Sequence, residues 1–293
     1  MDWDGETRTA YVVSPAREIE KIGFYALGSF SQRQFVPQFA EMIYGWAALA
    51  SDGTVDLRST EYSWPLPAGE ITGERLLEEA RSAGVRRDLL ITAFPDRCDV
   101  ANLLQDSTLM EQAADEITRV AVDRGFDGVV LDMEELANVA GDPDTNQQIR
   151  NGFTTLVTMT AQRLHRQGRT LTVAVHPRNS WYQGYDYPAL AETADRLLVM
   201  AYDYVPSGEA EPHDLVENAV RLAVEQVDRS KIILGLSGED ETADSLAAKA
   251  RVARRYGLAG VAYWRLGVMP DAERTVRQLQ AIEAGISIPE QQP

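Results

Sequence analysis

Gly125-Phe126-Asp127-Gly128-Val129-Val130-Leu131-Asp132-Met133-Glu134-Glu135 reads as a short buried strand that ends in carboxylates. Gly-Phe-Asp-Gly turns the chain inward, and Val129 to Leu131 is a compact apolar run rich in β-branched residues. Side chains alternate across a strand, so Val130, Asp132 and Glu134 share one face and Val129, Leu131 and Met133 the other. Two carboxyl groups are thereby stacked at the tip of a core strand. Ionised groups there cost free energy unless they are paired, hydrogen-bonded or protonated. A fold has no structural need for that arrangement, and it invites a catalytic reading. The competing reading is a strand end with solvated or salt-bridged acids.

Working outward, further short apolar runs alternate with helical patterns. Strand candidates are 21–27, 43–47, 89–93, the carboxylate strand, 171–175, 195–200, 231–236 and 258–263. A short amphipathic piece is expected over 34–42, and a long connection over 50–69 carries Tyr62 and Trp64. Helices are expected over 71–83 (capped by Thr72), 108–124 (capped by Ser107), 145–167, 213–227, 243–256 and 269–284. Gly125, Gly168 and Gly257 stand just past three of these helices. Eight strands alternating with helices, and no glycine-rich dinucleotide loop after the first, predict an α/β chain folded as a single (β/α)8 TIM barrel. The competitor is a doubly wound open sheet. Residues 1–20 are expected to be a leader or linker, and 21–293 the barrel.

In a barrel the functional groups belong at the C-terminal ends of the strands. Those ends carry Tyr25, Trp46, Asp132, Glu134, His176, Arg178, Tyr202, Asp203, Ser237, Glu239, Trp264 and Arg265. The loop after strand five adds Trp181, Tyr182, Tyr185 and Tyr187, aromatics suited either to stacking on sugar faces or to packing of a long loop. Asp144, Glu239 and Glu241 read as surface charge or helix-start acids.

Composition narrows the function classes. The chain has 293 residues, 44% of them hydrophobic, and no apolar run long enough to span a membrane. Its formal net charge of -17 argues against a nucleic-acid or anionic-membrane partner. The one cysteine, Cys98, allows no internal disulfide. His165, His176 and His213 lie too far apart for metal-ligand spacing, so no metal or other cofactor is expected.

Three motifs in barrel order resemble the chitinase-like glycoside hydrolase family eighteen. The family pattern D-G-x-D-x-D-x-E stands here as Asp127-Gly128-Val129-Val130-Leu131-Asp132-Met133-Glu134, with Val130 in place of one aspartate. M-x-Y-D stands as Met200-Ala201-Tyr202-Asp203, and the tryptophan of the closing strand as Trp264. Within the family the chain looks most like the bacterial spore-cortex-lytic peptidoglycan N-acetylglucosaminidases. That likeness is carried by Ile43-Tyr44-Gly45-Trp46, Tyr185-Asp186-Tyr187 and Tyr263-Trp264-Arg265-Leu266-Gly267.

The resemblance implies a retaining glycosidase acting on β-1,4 linkages at N-acetylglucosamine by substrate-assisted catalysis. It makes Glu134 the general acid and then base, Asp132 the orienter of the 2-acetamido group and Tyr202 its hydrogen-bond donor. Asp203, Met200, Tyr25, Trp46, Trp181 and Tyr185 would hold the sugars, with Trp264 as the floor. The partner it implies is an N-acetylglucosamine-containing polysaccharide, peptidoglycan ahead of chitin. The setting would be extracytoplasmic, at a cell wall or spore surface, with cell-wall-binding modules attached in a longer precursor. Val130 departs from the pattern, and the alternative is a glycan-binding barrel that has lost turnover. A second departure is the short step from strand seven into a helix. It leaves no room for a large α+β insertion and implies a shallow, open groove.

Overall fold

The computed structural model describes residues 18–287 except 27, 58–70 and 95–97; Tyr62, Trp64 and residues 1–17 of the expected leader lie outside the described residues. Eight strands form the centre: β1 (Glu20–Tyr25), β2 (Glu41–Leu49), β3 (Arg86–Thr92), β4 (Gly128–Asp132), β5 (Thr170–Val175), β6 (Arg196–Met200), β7 (Ile232–Ser237) and β8 (Gly260–Trp264). Each pairs in parallel with the next, as in Leu90↔Val130 and Val130↔Thr172. β8 pairs with β1 (Ile22↔Ala262) and β1 with β2, which closes the barrel. The open-sheet alternative is thereby excluded. A two-residue strand, Val55–Asp56, adds an antiparallel pairing to the end of β2.

The expected helices are present with shifted ends. Thr72 caps Gly73–Ser82 by accepting the Arg75 N–H. Asp106, not Ser107, caps the helix Ser107–Asp123, accepting from Thr108 and Leu109 N–H. Its carboxylate is the stronger acceptor beside a helix N-terminus. Between β1 and β2 the chain forms a 3-10 segment, Ser29–Gln38, with Pro37 inside it, where an amphipathic piece was expected over 34–42. Pro37 removes a donor and discourages a regular α-helix.

Two apolar clusters separate the faces of the strands. Val129, Leu131 and Met133 belong to the outer cluster, between barrel and helices. Ile22, Phe24, Ile43, Leu90, Val130, Leu198, Met200 and Ile233 fill the barrel interior, with Trp46, Tyr202 and Trp264 packed against its upper end. The lower end is closed by charges. Arg196 pairs with Glu41 at 2.5 Å and with Glu20 at 3.1 Å, and Arg86 pairs with Asp88 at 3.0 Å. Burial, then the Glu41 charge, pushes Asp88 up to about 7. Gly128 makes room for this plug: a Cβ there would lie 2.5 Å from Arg86 Nη2 and 2.7 Å from Asp88 Oδ2. Asp127 ties β4 to β3 through a 2.8 Å pair with Arg87. The first half of the Asp127–Glu134 motif therefore builds the barrel, and only its second half reaches the mouth.

Candidate active site

β4 delivers Asp132 to the upper end of the barrel interior, where only 7% of its surface is exposed and Oδ1 has no hydrogen-bond partner. Burial, and then the charge of Glu134, holds its carboxyl well above the usual range. Glu134 stands one step higher with its side chain about half exposed at 51%. Burial of its inner side, then the charges of Asp203 and Glu135, raises it as well. Two close acids oppose each other's ionisation in this way, so both carboxyls are biased towards their protonated forms. For Glu134 desolvation leads, and Asp203 and Glu135 contribute.

Tyr202 packs on the interior cluster, and after burial the charges of Glu134 and Asp132 raise its phenol well above its ordinary value. It is a neutral hydrogen-bond donor facing two carboxyls. Asp203 follows with φ +62. Its N–H and that of Tyr204 both donate to the Glu211 carboxylate, at 2.7 and 3.0 Å. Trp264 at the end of β8 lies edge-on to Phe24 (5.0 Å between ring centroids) and Trp46 (5.7 Å), and Trp46 in turn meets Phe94. Met200 is buried in the interior cluster beneath these rings.

The loop after β4 is zipped to the loop after β5. Gly184 N–H donates to Leu136 C=O, Gln183 N–H to Ala137 C=O and Val139 N–H to Trp181 C=O. Glu135 and Ala137 adopt φ of +58 and +54 to make this path. Left-handed non-glycine residues are costly and persist where their surroundings hold them. An open groove of about 670 Å³ runs from Glu134 and Glu135 past Leu136 to Ser51 and Asp99. β7 reaches the helix Ala243–Tyr256 through 238–242, so the expected absence of an insertion is seen directly.

Two expected sugar-binding residues are elsewhere. Tyr25 is 1% exposed and belongs to the outer cluster beside Tyr44, because Ile22 and Phe24 occupy the inward parity of β1. Tyr185 is also 1% exposed and its hydroxyl donates to Met133 C=O at 2.8 Å. It props the end of β4 and presents no face to a ligand. Trp181, by contrast, is 72% exposed on the zipped loop, opposite the exposed Val139. Glu241 is not a surface acid: it is buried and ion-paired with buried Lys249, and it accepts the Glu211 N–H. Glu211 was not singled out in the sequence, where nothing marks an acid eight residues past Asp203 as its anchor. Among the described residues no group of acids, histidines and cysteines is arranged to hold a metal ion.

The fold is shared with a chitinase from Chromobacterium violaceum (TM-score 0.76, 19% identity, 93% of this chain and 100% of that one). It is also shared with the spore cortex-lytic enzyme SleL of Bacillus megaterium (TM-score 0.72, 16% identity, 95% and 77%). In sequence, the chain is 27% identical over 152 residues to the cortical fragment-lytic enzyme of Bacillus subtilis, covering 48% of this chain and 33% of that protein. The chain spans about a third of the length of the curated relatives it matches. The family model of glycosyl hydrolases family 18 matches residues 22–238, from β1 to the turn after β7, and the chain belongs to that family.

Proposed function

We propose that this barrel is a retaining glycoside hydrolase that cleaves β-1,4 linkages at N-acetylglucosamine, with the substrate's own acetamido oxygen as nucleophile. The observation that carries the reading is the pair Asp132 and Glu134, both raised, at the barrel mouth between Tyr202 and the Trp264 ring system. Protonated Glu134 gives its proton to the leaving glycosidic oxygen. The acetamido oxygen attacks the anomeric carbon as that bond breaks, the substrate-assisted route open to this family. Asp132, freed of its proton or sharing it, accepts from the acetamido N–H and balances the positive charge that develops there. Tyr202 donates to the acetamido oxygen, Asp203 contacts the ring hydroxyls and Trp264 supports the ring. Ionised Glu134 then takes a proton from a water that attacks the anomeric carbon, the bond from that carbon to the acetamido oxygen breaks, and configuration is retained.

Peptidoglycan is the favoured polymer and chitin the second. The names of the cortex-lytic relatives support that order, as does the shallow groove left by the short β7 connection. A cell-wall or spore-surface setting follows from the same substrate. The second reading, a glycan-binding barrel without turnover, is favoured by Val130, which puts a methyl-lined floor under Asp132 where the family pattern has a carboxylate.

The test incubates the wild type and Glu134→Gln with cortex-type peptidoglycan and with chito-oligosaccharides and identifies products by mass spectrometry. Reducing-end N-acetylglucosamine is expected from peptidoglycan with the wild type only. The variant should be slower by about 10²–10⁴-fold, the usual worth of a general acid. Retained glycan binding with no product from either polymer establishes the binding reading instead.

A further inference from the structure

His176, at the end of β5, has no task in the mechanism above, yet it stands against the residue that has the central one. Its Nε2 lies 3.7 Å from Glu134 Oε2 and is buried without a hydrogen-bond partner. Its backbone and its ring each have a holding contact. Tyr187 donates its hydroxyl to the His176 C=O at 2.8 Å, and the Tyr182 ring lies 4.6 Å from the imidazole. An orphaned buried nitrogen is unfavourable unless a partner arrives in the working state. The 3.7 Å separation is a small side-chain adjustment longer than a hydrogen bond, and an ionised carboxylate draws a facing N–H into a shorter, charge-assisted bond.

The charge state of the ring follows from its surroundings. Burial pushes the imidazole down to about 4, so it is neutral near pH 7. After burial, the charges that raise Glu134 are those of Asp203 in the β6 loop and Glu135 in its own loop, and Glu134 in turn raises Asp132 beneath it. Tyr202, Tyr182 and Tyr185 face the same groups and are raised, hence neutral. Burial and both of these charges oppose ionisation of Glu134, and the acid must nevertheless be ionised halfway through the reaction.

We propose that His176 is a positioning residue for Glu134: its neutral imidazole turns Nε2–H onto the Glu134 carboxylate and stabilises the ionised form between the two half-reactions. No proton leaves the ring. Glu134 gives its proton to the leaving oxygen, accepts the Nε2–H hydrogen bond while charged, and recovers a proton from water. The inference rests on the reading of Glu134 as the proton donor, but its test does not require turnover.

The experiment follows the Glu134 carboxyl by carbon-13 NMR during a pH titration of the substrate-free protein, with Glu134→Gln to assign the signal. In His176→Phe the midpoint of Glu134 is expected to rise by about one pH unit, the size of one hydrogen bond to a charged group. His176→Gln, whose amide N–H reaches the same place as Nε2, is expected to restore it. An unchanged or lowered midpoint in His176→Phe overturns the proposal. Nitrogen-15 shifts of the wild-type imidazole supply a check that needs no variant: a protonated Nε2 and bare Nδ1 are expected, and the opposite tautomer overturns it. Activity measured alongside separates the two readings. An active Glu134→Gln removes the general-acid assignment, while the titration still decides the role of His176.

Discussion

Asp132 is held in a site that favours its neutral form, and that has a consequence for stability as well as for chemistry. Its folded-state value is raised by burial first and by Glu134 second. The native state therefore binds a proton that the unfolded chain has released once the pH passes about 3.9. Stability is lost as the pH rises from there through the folded value, and the loss is complete above it. Asp132→Asn keeps the shape and removes the titration. It is expected to raise the melting temperature above pH 7, to flatten its pH dependence, and to abolish turnover; calorimetry at pH 5 and 8 with a chito-oligosaccharide assay checks all three. A lower melting temperature at pH 8 would show that Asp132 is ionised and paired in the native protein. The stacking of Asp132 and Glu134 on one face was legible in the alternation of the strand. The fate of Tyr25 was not, because barrel strands are apolar on both faces and parity cannot be read from such a run. Tyr185 misled for a related reason: an aromatic in a long loop stacks on a ligand or props a strand, and only the Met133 carbonyl it meets distinguishes the two.

The loops at the mouth act as elements of their own, tied together from beneath. A line of contacts runs from buried Lys249 to Glu241, from Glu241 to the Glu211 N–H, and from the Glu211 carboxylate to the N–H groups of Asp203 and Tyr204. It anchors the β6 loop to the helix Ala243–Tyr256 and holds Asp203 in its left-handed conformation. Glu211→Ala removes both acceptors. It is expected to lower kcat/KM about tenfold by letting Asp203 relax away from the sugar, with far-ultraviolet circular dichroism unchanged. Michaelis kinetics on a chito-oligosaccharide decide the matter, and an unaltered kcat/KM would mean that the loop is held without Glu211. This line crosses three loops and helices, so no local pattern revealed it. Glu241 reads as surface charge or a helix-start acid because Thr242 and the helix do follow it, and its burial depends on Lys249, eight residues on. The strands themselves were legible as short β-branched runs between helices, with ends displaced by at most three residues. The 3-10 segment Ser29–Gln38 was not, since its pattern is too short to fix a period.

At the scale of the whole molecule the barrel divides into a charged lower end that closes it and an upper end that carries the site. Arg196 joins Glu41, itself 1% exposed, to Glu20 across the interior, with Arg86 at 3.4 Å as the second cation on Glu41. Removing one partner of a buried pair leaves a desolvated charge behind and costs about 3 kcal/mol at the low end of measured cases. Arg86 remains to soften the loss, which argues for that low end. For a chain of 293 residues, with an unfolding entropy of about 2.1 cal/mol/K per residue, the melting temperature should fall by about 5 °C in Arg196→Met. The apolar interior cluster, with Leu90 and Val130 among it, separates that end from Asp132 and Glu134, so kcat and KM of the folded variant should match the wild type at 25 °C. The same measurements on Glu134→Gln should give the mirror result, with activity lost and a melting temperature that does not fall. A barrel in which Arg196→Met slowed turnover in proportion to its loss of stability would be one whose two ends are coupled. The parallel register running unbroken from β3 through β8 argues that rigid strands, not a shared network of charges, connect them.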